Sequence, residues 1–177
     1  SAGMTLEDVI AVMAAGACGQ KLVVRLHTGD PSIYGAVREQ MDELDKRNIP
    51  YEIVPGVSSF CAAAAALKKE YTLPGVSQTV ILTRMEGRTE VPEKERIESL
   101  AAHGATMVIF LSVHLVDELV DRLKAGYEAD TPVAVVYKAS WPEQKILRGT
   151  LANIAEMVKT GGVTKTALIV VGDFLGD

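Results

Sequence analysis

Hydrophobic positions along the chain fall into two alternating patterns. Short β-branched runs ending in glycine, proline or hydroxyl residues predict strands over residues 21–27, 51–54, 78–83, 106–111, 132–138, 146–150 and 167–172. Between them apolar residues recur at helical spacing and predict helices over 6–15, 32–47, 59–68, 92–102, 115–125 and 154–159. Thr5 and Ser58 are the expected N-caps, because a hydroxyl there accepts from the free amides of a first helical turn. Strands alternating with helices define an α/β protein with a largely parallel sheet. The turn-rich segment 71–77, which contains Leu73-Pro74-Gly75, is the expected boundary between two α/β units. The first unit then keeps only two strands, too few for an independently stable sheet, so strands preceding Ser1 are expected to be missing from it.

Composition narrows the classes. With 177 residues, 48% hydrophobic and 23% charged, the chain can bury one sizeable core or two small ones. No apolar run reaches the roughly 18 residues of a membrane span, and Ala62 to Ala66 is soon followed by Lys68, Lys69 and Glu70. The opening Ser-Ala-Gly-Met leads straight into helix-like sequence, without the charged and apolar regions of a signal peptide, so a cytoplasmic location is expected. A formal charge of −5 argues against a general binder of nucleic acid or anionic membranes. Cys18 and Cys61 lack a C-x-x-C spacing and read as small buried hydrophobes. His27, His103 and His114 lack the spacing of a zinc site, so no protein-held metal is expected.

Four constellations follow predicted strands. In Arg25-Leu-His-Thr-Gly-Asp-Pro-Ser-Ile-Tyr-Gly35 a strand enters a Thr28-Gly29-Asp30-Pro31 turn, and ligands of open α/β sheets lie at such carboxyl ends. Gly29 permits close backbone approach and Asp30 accepts hydrogen bonds; equally, Asp30 caps a helix whose first residue is Pro31. Val54-Pro-Gly-Val-Ser-Ser-Phe60 offers the Ser58 and Ser59 hydroxyls and free amides, or is a simple turn with a cap. Thr83-Arg-Met-Glu-Gly-Arg-Thr89 carries Arg84, Glu86 and Arg88, either a fork for an acid-rich substrate or a solvated loop with an ion pair. Tyr137-Lys-Ala-Ser-Trp-Pro142 holds the only tryptophan, and Trp141 and Ala139 read as ligand wall or as core.

Each signal is weak singly, but their joint occurrence in this order is specific. H-T-G-D-P-x-x-Y-G, V-P-G-V-S-S-F, T-R-M-E-G-R-T and Y-K-A-S-W-P resemble the precorrin-4 carbon-11 methyltransferases of the tetrapyrrole methylase family, a match running from about Leu22 to Gly172. The resemblance implies two α/β domains, residues 1–73 as an N-terminally truncated first domain and 76–177 as a second domain with a mixed sheet flanked by helices. It implies S-adenosyl-L-methionine bound in the cleft between them, S-adenosyl-L-homocysteine as product, a precorrin tetrapyrrole as substrate and a homodimer. By the same resemblance Thr28, Gly29, Asp30, Ile33, Ser58, Ser59, Leu111, Ala139 and Ala167 are the expected cofactor contacts. Arg84, Glu86, Arg88, Lys138 and Trp141 are the expected substrate contacts. The family's opening strand and Gly-Pro-Gly loop have no counterpart here, which leaves cofactor affinity of this exact chain open. Because the nucleophile of carbon methylation is an electron-rich ring carbon of the substrate, no single catalytic residue is expected and positioning dominates. The rivals are another tetrapyrrole methylase such as a uroporphyrinogen-III C-methyltransferase, a diphthine synthase relative, and a non-catalytic tetrapyrrole-binding fragment. The R-M-E-G-R-T loop favours the carbon-11 group.

Overall fold

A computed structural model describes residues 3–87 and 90–176. The chain forms two compact units, residues 1–58 and 59–177, so the turn at 71–77 falls inside the second.

In the first unit helix α1 spans Leu6–Cys18 and begins in a capping box: Asp8 N–H donates to Thr5 Oγ1 at 3.2 Å and Thr5 N–H to Asp8 Oδ2 at 3.0 Å. Helix α2 spans Arg38–Lys46. The predicted helix over 32–47 is therefore shorter than its periodicity, because Tyr34 and Ala36 take positive φ (54° and 48°) and interrupt the helical path. Ile10, Met13 and Leu44, with Val9 and Ile49, close a small core between the helices. Segments 21–27 and 51–54 form no strand. A β-branched run becomes a strand only when a neighbour completes its hydrogen-bond ladder. No described residue does so here, and Leu22 stays 94% exposed, with Val24, Leu26 and Val54 also on the surface.

The second unit opens with helix α3, Ser59–Leu67. There follow β1 (Val80–Arg84), α4 (Ile97–Ala101), β2 (Thr106–Phe110), α5 (Val116–Leu123), β3 (Pro132–Tyr137), β4 (Lys145–Thr150), α6 (Ile154–Thr160) and β5 (Ala167–Val171). The strands make a five-stranded sheet of order β1-β2-β5-β3-β4. Only β1 and β2 pair in parallel, from Val80↔Thr106 to Arg84↔Phe110, while β2–β5, β5–β3 and β3–β4 are antiparallel. The sheet is thus mixed rather than largely parallel. β5 enters between β2 and β3 in the opposite sense, and strand spacing alone does not reveal that insertion.

Alternate residues Met107, Ile109, Val133, Val135, Ile169 and Val171 pack with Ile97, Leu119, Leu123 and Ile154 of the helices. The opposite residues Val108, Ala134, Val136 and Val170 are buried as well, so both faces of the sheet are covered. On α3, the Leu67 carbonyl accepts from Arg148 at 2.9 Å and the Phe60 carbonyl from Tyr71 at 2.7 Å. These bonds tie the helix to the sheet unit, and the turn at 71–77 then leads from it to β1. Cys18 and Cys61 are free and exposed, contrary to the expectation of burial. Alanine-rich helical sequence leaves their facing undetermined until the helices pack.

Candidate functional site

β1, β2 and β3 point the same way, and their carboxyl ends share one margin of the sheet with the start of β5. Arg84 closes β1 opposite Phe110, and Leu111 follows directly. Ala167 opens β5 opposite Tyr137, and the next residue, Lys138, donates its N–H to Thr166 O at 2.9 Å. Arg84, Lys138 and Ala139, from two of the four constellations, are thus gathered with Leu111 after β2 and Ala167 of β5 at one end of the sheet. Non-glycine residues with positive φ concentrate here: Leu111 (54°), Lys138 (46°), Ser140 (70°) and Thr166 (56°). Such conformations cost on the order of 1–3 kcal/mol each and persist where surrounding structure imposes them, commonly at ligand sites. Leu111 is 65% exposed, so its conformation is held by the strand ends rather than by burial of its own side chain.

The β3–β4 connection presents Trp141. Trp141 N–H donates to Lys138 O and Gln144 N–H to Trp141 O, both at 3.0 Å, while Ser140 N–H donates to Gln144 Oε1 at 2.8 Å. These bonds fix a loop whose indole is 51% exposed, so Trp141 is a surface wall and not core. Lys138 Nζ lies 5.2 Å from the Trp141 ring centroid and 5.4 Å from that of Tyr137, and 3.8 Å from Glu143. Two aromatic faces and a carboxylate thereby orient one ammonium.

The loop after β1 is anchored from below. Met85 is buried, and its N–H donates to Ser112 Oγ at 2.9 Å; that hydroxyl, itself buried, donates to Phe110 O at 2.7 Å. Arg84 donates to Met85 O at 2.9 Å. Glu86 accepts from Arg122 at 2.7 Å, and this guanidinium contact holds its carboxyl below the usual range. Arg88 lies outside the described residues. Ser112 and Arg122 were not singled out from the sequence. Arg122 had a local signal, the i, i+4 spacing to Glu118, but its meeting with Glu86 is tertiary.

In the first unit, Asp30 caps no helix, since residues 31–34 form turns and α2 starts only at Arg38. Its Oδ1 accepts from Ser32 N–H at 2.8 Å and from the Ser32 hydroxyl, and its Oδ2 accepts from Gly56 N–H at 2.8 Å. The Ser32 hydroxyl first, then the Gly56 and Ser32 amides, keep this carboxyl below its ordinary range. One side chain thus joins the Thr28–Gly29–Asp30 turn to the Pro55–Gly56–Val57 turn. Gly29 takes φ 74°, and a Cβ on Gly56 would stand 2.2 Å from Gly29 O, so both positions need glycine. Thr28 is exposed at this turn and Ile33 half-buried beside it. Ser58 is buried immediately before α3, and Ser59 begins that helix exposed.

A sheet margin furnished with strained main chain, an oriented lysine and an arginine loop defines a ligand-binding α/β protein. Over residues 1–155 the sequence matches the model of the tetrapyrrole (corrin/porphyrin) methylases, and the chain belongs to that family. It is 60% identical to a cobalt-precorrin-4 C(11)-methyltransferase of Methanocaldococcus jannaschii, over 99% of this chain and 68% of the relative. It is 51% identical to a precorrin-4 C(11)-methyltransferase of Mycobacterium tuberculosis, over 97% of this chain and 69% of the relative. Among solved structures, a cobalamin biosynthetic enzyme, cobalt-precorrin-4 methyltransferase, superposes with a TM-score of 0.96 at 47% identity. That likeness covers 100% of this chain and 74% of the solved one.

Proposed function

We propose that this protein transfers a methyl group from S-adenosyl-L-methionine to carbon 11 of precorrin-4 or cobalt-precorrin-4 in cobalamin biosynthesis. The observation that carries the reading is 60% identity to an enzyme of that name across 99% of the chain. The residues present suit such a cofactor. In the first unit the turns at Gly29 and Gly56 pack backbone against backbone, and in the second the main chain at Leu111 and Lys138 is held at positive φ, so each unit supplies shaped backbone rather than a reactive side chain for such a ligand. In the first unit Thr28, Gly29, Asp30, Ile33 and Ser58 are assigned to it, and in the second Ser59, Leu111, Ala139 and Ala167. When bound, S-adenosylmethionine supplies an electrophilic methyl group on a sulfonium.

The protein's part is to orient and to compensate charge. Arg84 and Arg88 meet substrate carboxylates as planar forks. Lys138, steered by Trp141 and Tyr137, adds a further cation, and the Trp141 face gives the macrocycle an apolar wall. A cytoplasmic location is part of the same proposal; no helix among the described residues is long and apolar enough to cross a membrane. The working form is a homodimer, and residues 1–73 and 76–177 correspond to the family's two domains.

Labelled S-adenosylmethionine incubated with the full-length protein and each of the two tetrapyrroles tests the reading. A single new methyl located at carbon 11 by NMR is the expected product. Transfer to another ring carbon, or none with either substrate, overturns it.

A further inference from the structure

We infer that Arg122 is a positioning residue for substrate recognition, holding the start of the loop after β1 through Glu86; this rests on the reading of that loop as the tetrapyrrole carboxylate site. Arg122 projects from α5 with a side chain only 21% exposed and meets carboxylates from three separate segments. Its Nη1 is 2.7 Å from Glu86 of the loop, its Nη2 2.5 Å from Glu118 of α5, and its Nε 3.6 Å from Glu98 of α4. A surface helix arginine is satisfied by its i, i+4 partner alone. Here the same guanidinium reaches back 36 positions along the chain to the residue midway between Arg84 and Arg88.

Two consequences follow for the loop. The first is orientation. Met85 is pinned to Ser112 and the residue after it to Arg122, so the backbone leaves β1 along a defined path immediately after Arg84. The second is charge. Glu86 lies two positions along the chain from Arg84, and an uncompensated carboxylate there would repel an acidic ligand. Arg122 compensates it from the protein side. All three carboxylates share this guanidinium, and the charge of Arg96 adds only a weaker effect at Glu86. With Arg122 removed, Glu86, Glu98 and Glu118 lose the guanidinium they share. A planar fork serves several acceptors at once, which an ammonium does less well, so lysine should restore the function only in part.

The test is a set of variants of the full-length protein, Arg122→Gln, Arg122→Lys, Glu86→Gln and the Arg122→Gln/Glu86→Gln pair, with Arg84→Gln as the reference for the loop. Each is measured for tetrapyrrole KM, for kcat, for S-adenosylhomocysteine affinity by calorimetry and for melting temperature. Arg122→Gln is expected to raise the substrate KM about tenfold, the scale of one lost charge-assisted contact. Its kcat at saturation and its homocysteine-product affinity should stay within about twofold of wild type by the same reasoning. Arg122→Lys should fall between, and the pair should be no worse than Arg122→Gln, because the two groups act as a unit. An unchanged KM in Arg122→Gln while Arg84→Gln raises it overturns the inference alone. No KM effect in either variant overturns the reading of the loop. Loss of melting temperature, cofactor affinity and substrate affinity together in both Arg122→Gln and Arg122→Lys, or strict additivity in the pair, makes Arg122 a purely structural residue and also overturns the inference.

Discussion

Asp30 satisfies three donors with one carboxylate, and those donors belong to two turns some 26 positions apart in the sequence. Its chemistry is therefore spent on shaping backbone, and any effect on a cofactor runs through the positions of Thr28, Gly29 and Gly56. Asp30→Ala should weaken S-adenosylhomocysteine binding by about tenfold or more, since an amide pair loses its charged acceptor. Asp30→Asn should do less, because its single carbonyl still accepts from one amide. Calorimetry on the full-length protein separates them, and equal affinities in all three would remove Asp30 from the site. The sign of the pH dependence follows from the direction of its shift. A carboxyl held below its ordinary range contributes fully above about pH 4 and loses that contribution as the pH falls through its folded value, so binding should be flat near neutrality and decline only in acid.

At the scale of elements, the connection after β3 is fixed by its own short-range bonds and the start of the one after β1 by a distant residue. Gln144 and Lys138 hold the Trp141 loop, and Ser112 holds the start of the 84–90 loop. Segments anchored in this way at strand ends keep their side chains ready, which limits the entropy lost when a ligand arrives. Replacing Arg84 and Arg88 together by glutamine should raise the tetrapyrrole KM about tenfold or more while leaving cofactor affinity within about twofold. Steady-state kinetics at varied tetrapyrrole concentration read this out. Unchanged kinetics would make the segment a plain solvated connection, as its Arg–Glu spacing alone equally permits.

For the molecule as a whole, stability centres on the sheet unit and its buried hydroxyls. Tyr127 is buried with its OH donating to Ala105 O, and burial, helped by Asp173, pushes its hydroxyl up to about 12. Tyr71 is shifted upward too, again mainly by burial. A hydroxyl whose folded value lies above the unfolded one stabilises fully below about pH 10 and ceases to do so as the pH rises toward 12. Denaturant midpoints should hold from pH 7 to 10 and drop above it. Tyr127→Phe should lower stability at pH 7 by about 1–3 kcal/mol, leaving Ala105 O without its donor, and should lose less on going alkaline. A wild-type midpoint independent of pH up to 12 would contradict this.

The sequence alone was enough to place β1, β2, β3, β4 and β5 to within about two residues, because β2, β3 and β5 are apolar runs buried on both faces and turn residues bound the half-buried β1 and β4. It was also enough to bring the arginine loop and the Trp141 loop to strand ends, since punctuation by glycine, proline and hydroxyl residues is a local property. The capping box of Thr5 and Asp8 is equally local, with its partners three residues apart. Other features waited for tertiary structure. Residues 21–27 carry the same β-branched signal as β2, yet remain unpaired among the described residues, because a ladder needs a neighbour as well as a propensity. The reversal of β5 between β2 and β3 and the burial state of Cys18 and Cys61 depend on which faces meet. The bonds of Asp30 to Gly56 and of Arg122 to Glu86 span 26 and 36 positions. Periodicity reports which residues avoid water, while hydrogen bonds and ion pairs between distant segments depend on distances that exist only after those residues have packed.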